Sequence, residues 1–150
     1  EAEESNLKAA FIYNFTRFVE WEPSEVSAEF IIGIVGTSGV DEALEEISKT
    51  RTVNSKRIII KHFEKIEDLG KCNVLFIPKN VKTPLQEFLT KTENKGVLVV
   101  CEKQGYASKG ASINFVIVDK KLKFEANTKA ISSAGLKVSA QLLKLAIIVN

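Results

Sequence analysis

The chain has 150 residues, 45% hydrophobic and 27% charged, with 21 basic and 19 acidic side chains mixed along its length. That is enough for one domain with its own core, spanning residues 1–150, and it excludes a disordered or low-complexity chain. A formal net charge of +2 makes no electrostatic case for nucleic acid or an anionic membrane, and without an apolar run near the ~20 residues of a span, no membrane insertion is expected. The sequence contains no Met and opens at Glu1-Ala2-Glu3-Glu4-Ser5, which reads as a mature form with a leader removed. A piece cut from a longer chain is the alternative.

Ser5 or Asn6 can cap an opening helix. Along it Leu7, Phe11, Phe15 and Phe18 recur at helical spacing, with Ile12 and Val19 widening the stripe. Glu22-Pro23-Ser24 stops it, because a proline disfavours helix in the residue before it. Phe30–Val35 is a short continuous apolar strand of the kind covered on both faces. Gly36-Thr37-Ser38-Gly39 then turns the chain into a helix over Val40–Ser48. Arg57–Phe63 is predicted as a second strand, with a helical turn after it at Ile66–Leu69. Asn73–Ile77 is a third, closed by Pro78. Pro84 suits the start of a helix over Leu85–Lys91, and Gly96 leads into a fourth strand at Val97–Cys101.

This alternation implies a parallel sheet with right-handed crossovers. Ser112–Val118 and Lys121–Ala126, joined at Asp119-Lys120, break the rhythm and read as an antiparallel hairpin. Asn127 or Thr128 then caps a closing helix predicted to run to Ala146. One apolar stripe passes through Ile131, Gly135, Val138, Leu142, Leu145 and Val149, and a second through Leu136, Ala140, Leu143 and Ile147. A helix apolar on most sides is either central or shared between subunits. The expected fold class is α/β, three-layered: a mostly parallel central sheet, an antiparallel hairpin near the C-terminus, and helices on both faces.

Catalytic chemistry is hard to assemble from these residues. His62 is the sole histidine, and a metal site or a nucleophilic triad needs convergent partners. Glu42, Glu45 and Glu46 fall on the outer face of one helix and favour its N-terminal half. No catalytic residue, metal or cofactor is expected. The segment Gly36, Thr37, Ser38, Gly39 lacks the spacing of a dinucleotide or phosphate loop. Amides at a helix start attract anions, however, and these four residues, with Ile77–Asn80, mark the crevice beyond the strand carboxyl ends. A tight turn using glycine for backbone freedom is the simpler reading.

Asn14 among aromatics and Asn114 in a strand are amides that must find partners if buried, and holding a neighbouring backbone segment is favoured over ligand recognition. Tyr106, on a polar loop from Glu102 to Gly110, either anchors an interface or folds back on the core. Lys120, Lys121 and Lys123 read as a solvated hairpin tip. Cys72 begins one predicted strand and Cys101 ends the next, so parallel pairing puts them at opposite ends of the sheet. A disulfide needs Cα atoms within roughly 7 Å, whereas about five strand residues cover roughly 16 Å. Both thiols are expected free and buried.

Several blocks recur together. They are Lys8-Ala9-Ala10-Phe11-Ile12-Tyr13-Asn14-Phe15 with Phe18-Val19-Glu20-Trp21, then Cys72-Asn73-Val74-Leu75-Phe76-Ile77, then Ile113-Asn114-Phe115-Val116. Phe124-Glu125-Ala126-Asn127 and Ala134-Gly135-Leu136-Lys137-Val138-Ser139 through Leu142-Leu143-Lys144-Leu145-Ala146 complete the set. In this order they resemble the YfiR-like periplasmic regulators over nearly the whole chain. The resemblance implies export to the periplasm after signal-peptide removal, and a non-catalytic protein that restrains an inner-membrane signalling partner through its periplasmic part. That partner is of the diguanylate cyclase or sensor kinase type, which ties the output to cyclic-di-GMP and biofilm formation. It also implies a homodimer, for which solvent-facing members of Leu136, Leu143 and Ile147 are the first candidates, with Tyr106 as a receptor anchor. Many members place a cysteine near position 33 to partner the one matching Cys72; this chain has Gly33 there. A periplasmic small-molecule-binding module is the alternative function.

Overall fold

Why the first helix buries the face it does follows from its side chains. The computed structural model describes residues 2–21 and 28–150, and α1 covers Ala2–Phe18. Glu3 and Glu4 in its first turn and Arg17 in its last complement the helix dipole. Ser5 and Asn6 therefore lie inside the helix rather than capping it. The buried face runs through Lys8, Ala9, Ile12, Phe15 and Thr16, while Phe11 and Phe18 are half-buried and Leu7 is 49% exposed. The predicted stripe through Leu7 is thus rotated by part of a turn, toward the small and aliphatic residues that fit closest to the sheet. The predicted stop at Glu22–Ser24 lies outside the described residues. Ahead of it, Val19–Glu20 already form a two-residue strand, β1.

β2, Glu29–Val35, is buried along almost its whole length. Ser38 then caps α2, Gly39–Ser48, by accepting a hydrogen bond from the Val40 amide at 3.2 Å. β3 (Thr52–Val53) and β4 (Lys56–Phe63) form a hairpin whose turn residues Asn54 and Ser55 have φ of 50° and 68°. Both angles suit the right-handed twist of a two-residue hairpin. After a short 3-10 turn at Ile66–Asp68 come β5 (Val74–Ile77), α3 (Leu85–Thr92), β6 (Leu98–Cys101), β7 (Ile113–Val118) and β8 (Lys121–Asn127). The β7–β8 turn is again left-handed, at Asp119 (φ 52°) and Lys120 (φ 66°).

The predicted closing helix is not one helix. α4 covers Thr128–Ser133, β9 Lys137–Val138, α5 Ala140–Leu145 and β10 Ile147–Val149. Gly135, at φ +84°, ends α4: its amide bonds to the Ser132 carbonyl and the Leu136 amide to that of Ile131. Ser139 starts the next helix by capping Leu142. The two stripes drawn on a continuous helix do not exist as such.

Eight strands form one sheet in the order β10-β8-β7-β6-β5-β2-β4-β3. β4, β2, β5, β6 and β7 are mutually parallel, and β7–β8 is the antiparallel hairpin. β10 joins β8 in parallel at the edge, and β1 pairs separately with β9. Alternation along β2 sends Phe30, Ile32 and Ile34 into one core cluster and Ile31 and Val35 into another. α1, α2, α4 and α5 supply the first cluster, and α3 supplies Leu85 and Phe88 to the second, on the opposite face.

Candidate functional site

The chain steps from β2 to β4 on one side and returns to β5 on the other, so the strand order reverses at β2. Open α/β sheets bind ligands beyond the carboxyl ends at such a point. Here α1 occupies that place. A Cβ on Gly39 would stand 2.5 Å from Ser5 Oγ, so the first turn of α1 rests directly on the start of α2. Lys8 Nζ lies 2.6 Å from Glu4 Oε2 and 2.5 Å from Glu102 Oε1, at the end of β6. The other Glu102 oxygen accepts the Lys79 amide at 2.9 Å, just past β5.

Burial disfavours the Lys8 ammonium, but hydrogen bonds with Glu102 and Glu4 outweigh it and hold its pKa above the ordinary lysine value. The same contact with Lys8 holds the Glu4 carboxyl below the usual carboxylate range. Of the four crevice candidates, Ser38 is engaged as a helix cap, and Gly39 is exposed, with Ser5 standing where its side chain would be. Thr37 is exposed, and Gly36 (φ +70°) has open space where a side chain would be.

The loop after β6 is tied down from beneath. Asn114, fully buried, accepts the Lys103 amide at 3.1 Å and donates to the Lys103 carbonyl at 2.9 Å and to Glu125 Oε1 at 3.3 Å. Asn127 donates to the Ala107 carbonyl at 2.7 Å while its oxygen caps Ala130 in α4. Tyr106 packs partly against the second core cluster, with the Lys103 and Lys109 ammonium groups 5.8 and 5.9 Å from its ring centre. Asn14, by contrast, is exposed on α1, so burial makes no demand on its amide.

At the other sheet edge, Leu136 is 4% exposed and part of the first core, so it offers no surface. Leu143 is half-buried against that core. Ile147 is 40% exposed, and with it Ile148 (46%) and Leu145 (68%), which reading the segment as one helix had not singled out as a surface. The signals were present: Gly135 and Ser139 flank a break, and Ile147-Ile148-Val149 is a β-branched run.

His62 Nδ1 lies 3.7 Å from Asp41 and Nε2 3.4 Å from Glu45, so its two nitrogens face different carboxylates rather than one centre. Among the described residues no group of three or more His, Cys, Asp or Glu could hold a metal ion, and no helix is long and apolar enough to cross a membrane. Cys72 and Cys101 are free and buried. Cys101 stands opposite Ile77 at the end of β6, whereas Cys72 precedes β5. Burial pushes the Cys72 thiol up to about 12, and burial with the neighbouring Glu102 charge raises Cys101 as well.

A family model described as YfiR/HmsC-like matches residues 5–147. The chain belongs to the YfiR/HmsC-like family. Members are generally non-catalytic regulators, and the named ones regulate diguanylate cyclases. No curated protein matches the chain. The YfiR/HmsC-like match runs from the α1 turn that closes the crevice to the first residue of the exposed β10 edge, and so takes in nearly every element described above.

Proposed function

We propose that this chain is a non-catalytic periplasmic regulator that binds the periplasmic part of an inner-membrane signalling protein and restrains its output. Family membership over residues 5–147 is the observation that carries this reading. A diguanylate cyclase is the favoured partner and a sensor kinase the other form, so the downstream effect falls on cyclic-di-GMP and biofilm formation. Two surface features support a binding role. Tyr106 stands on a loop fixed by Asn114 and Asn127, a pre-ordered anchor for a receptor. Ile147 and the neighbouring Ile148 leave apolar side chains exposed on the edge strand β10, which suits a second copy.

The test is to export the chain in cells that carry a candidate inner-membrane diguanylate cyclase and to measure cyclic-di-GMP. Lower cyclic-di-GMP, with the two proteins co-purifying from detergent, is the expected result. Unchanged levels with the protein present in the periplasm would sink the regulatory reading. A second reading, a small-molecule-binding module, is favoured by a cavity of about 620 Å³ at the amino ends of the strands.

A further inference from the structure

Strand register leaves part of the β7–β8 hairpin outside the sheet. β6 ends with Cys101 opposite Asn114, β10 begins with Ile147 opposite Glu125, and Asn114 and Glu125 are themselves paired. Beyond that pair the hairpin continues alone for four more residue pairs, from Phe115 with Phe124 to Val118 with Lys121, and then its turn. At about 3.4 Å per residue, this arm projects roughly 14 Å past the neighbouring strands. Phe11 covers its base, with ring centres 6.0 Å from Phe115 and 5.8 Å from Phe124. Nearer the tip, Ile117 and Val118 are 58% and 36% exposed, and Leu122 is half-buried. Two strands alone are marginal in water, so such an arm gains from a surface to rest on.

Positive charge collects on the same arm. From Phe115 to Phe124 it holds Lys120, Lys121 and Lys123 against a single acid, Asp119. All three lysines are exposed, and among the described residues none is in an ion pair. Val118 stands opposite Lys121 and Val116 opposite Lys123, so apolar and cationic groups are interleaved on one face. Ile117 and Leu122 stand opposite each other on the other face. The pocket at the base of the arm mixes Glu4, Glu102 and Glu125 with Lys8 and Lys79, so the positive excess belongs to the arm itself. The near-neutral charge of the whole chain hides it.

We propose that the tip of this arm docks on an anionic lipid surface, with Ile117, Val118 and Leu122 at the headgroup boundary and the ammonium groups of Lys120, Lys121 and Lys123 among the phosphates. Lysine suits that place, because its stem lies along apolar groups while its charge reaches water. A protein partner fits less well. Protein interfaces are depleted in lysine and anchored by Trp, Tyr or Arg, and the arm has none of these three. The arm rests at the lipid surface and does not cross it. The inference is independent of the regulatory reading, because the arm holds to such a surface or does not whatever the partner is.

The purified protein is sedimented with vesicles of phosphatidylglycerol and phosphatidylethanolamine, and separately with vesicles of phosphatidylcholine alone. The expected result is saturable binding to the anionic vesicles in low salt and much weaker binding to phosphatidylcholine. Most of the binding should be lost in about 1 M salt, where the screening length is about 3 Å. Lys120→Gln with Lys121→Gln should weaken it about twentyfold, at roughly fivefold per lysine. Ile117→Ser with Val118→Ser should weaken it about tenfold through the lost apolar contact. Lys91→Gln with Lys95→Gln removes the same charge from the end of α3 and the residues after it, and should leave binding unchanged. All six side chains are exposed, so the melting temperature should stay in place. No binding to the anionic vesicles in low salt would overturn the proposal and leave the arm to a protein partner. An equal loss from the α3 pair, or unchanged affinity in either arm pair, would overturn it as well.

Discussion

Lys8 and Glu102 are separated by 94 residues, yet their side chains meet at 2.5 Å and are only 9% and 8% exposed. One comes from the second turn of α1 and the other from the end of β6, so this pair holds the opening helix over the strand carboxyl ends. A buried charge without its partner is costly, whereas an apolar pair of similar size is often tolerated. Lys8→Met should therefore destabilise the protein by about 3 kcal/mol, and Lys8→Met with Glu102→Leu by much less. Urea unfolding of both variants measures this. Equal losses in the two would mean that the pair does not hold α1 down.

The pH dependence has a definite sign. Lys8 has a raised pKa, so its contribution is present below the ordinary lysine value and lost as pH rises through the raised one. Glu4 has a lowered pKa, so its contribution is present above the ordinary carboxylate value and lost as pH falls through the lowered one. Stability attributable to this contact should be level between roughly pH 5 and pH 9 and fall on both sides. Comparing wild type with Lys8→Met across pH isolates it. A difference that changes steeply near pH 7 would contradict the assignment.

Asn114 gives a prediction about order rather than fold. Replacing it with Ala leaves the Lys103 amide and carbonyl without their partners, at about 2 kcal/mol, and frees the loop that carries Tyr106. Hydrogen exchange should speed up from Lys103 to Gly110 before it changes in β5 or β6. Unchanged protection in the loop would show that Asn127 alone suffices to hold it.

Both thiols should resist modification in the folded protein and react once it unfolds. With Cys72 at about 12, the thiolate is scarce at any physiological pH, and burial adds a steric barrier. Mass spectrometry without reductant, before and after denaturation, should find no adduct in the native protein and two in the unfolded one. An intramolecular bridge would overturn the strand placement that separates the two cysteines.

Continuous apolar runs such as Phe30–Val35 and Val74–Ile77 made the buried strands legible, because few other elements are apolar at every position. Asp119-Lys120 between an apolar run and an alternating one marked the hairpin, and Asn127 marked a helix start. The break at Gly135 was harder to see, because Ile131, Leu142 and Leu145 keep helical spacing across it. Helical periodicity reports which residues share a face only if the helix is continuous. Glycine tolerates the left-handed turn that ended it, and Gly135→Ala should cost about 1–2 kcal/mol for that reason. The crevice residues Gly36, Thr37, Ser38 and Gly39 lie at the strand carboxyl ends as read, but the close approach of Ser5 to Gly39 is tertiary and leaves no local trace. The amino-end cavity is likewise assembled from segments far apart in the chain, between Trp21 and Gly135.

The sheet edge at β10 tests self-association. β10 pairs with β8 on one side, and Ile147 and Ile148 project from it 40% and 46% exposed, beside Leu145 at 68%. Edge strands without charge or proline invite pairing with another chain. A fully buried isoleucine contributes about 1.5–3 kcal/mol, and these are already partly covered. Two copies of the patch, set against the entropy of association, thus suit a weak pair rather than a permanent one. Light scattering across a concentration series should find reversible dimer at high micromolar concentration. Ile148→Lys should return it to monomer without lowering the melting temperature. Leu143→Glu is the contrasting variant, since Leu143 packs against the core and its loss should cost stability as well. A strict monomer at every concentration, with Ile148→Lys unchanged from wild type, would remove the dimer and leave the β10 edge free for the receptor.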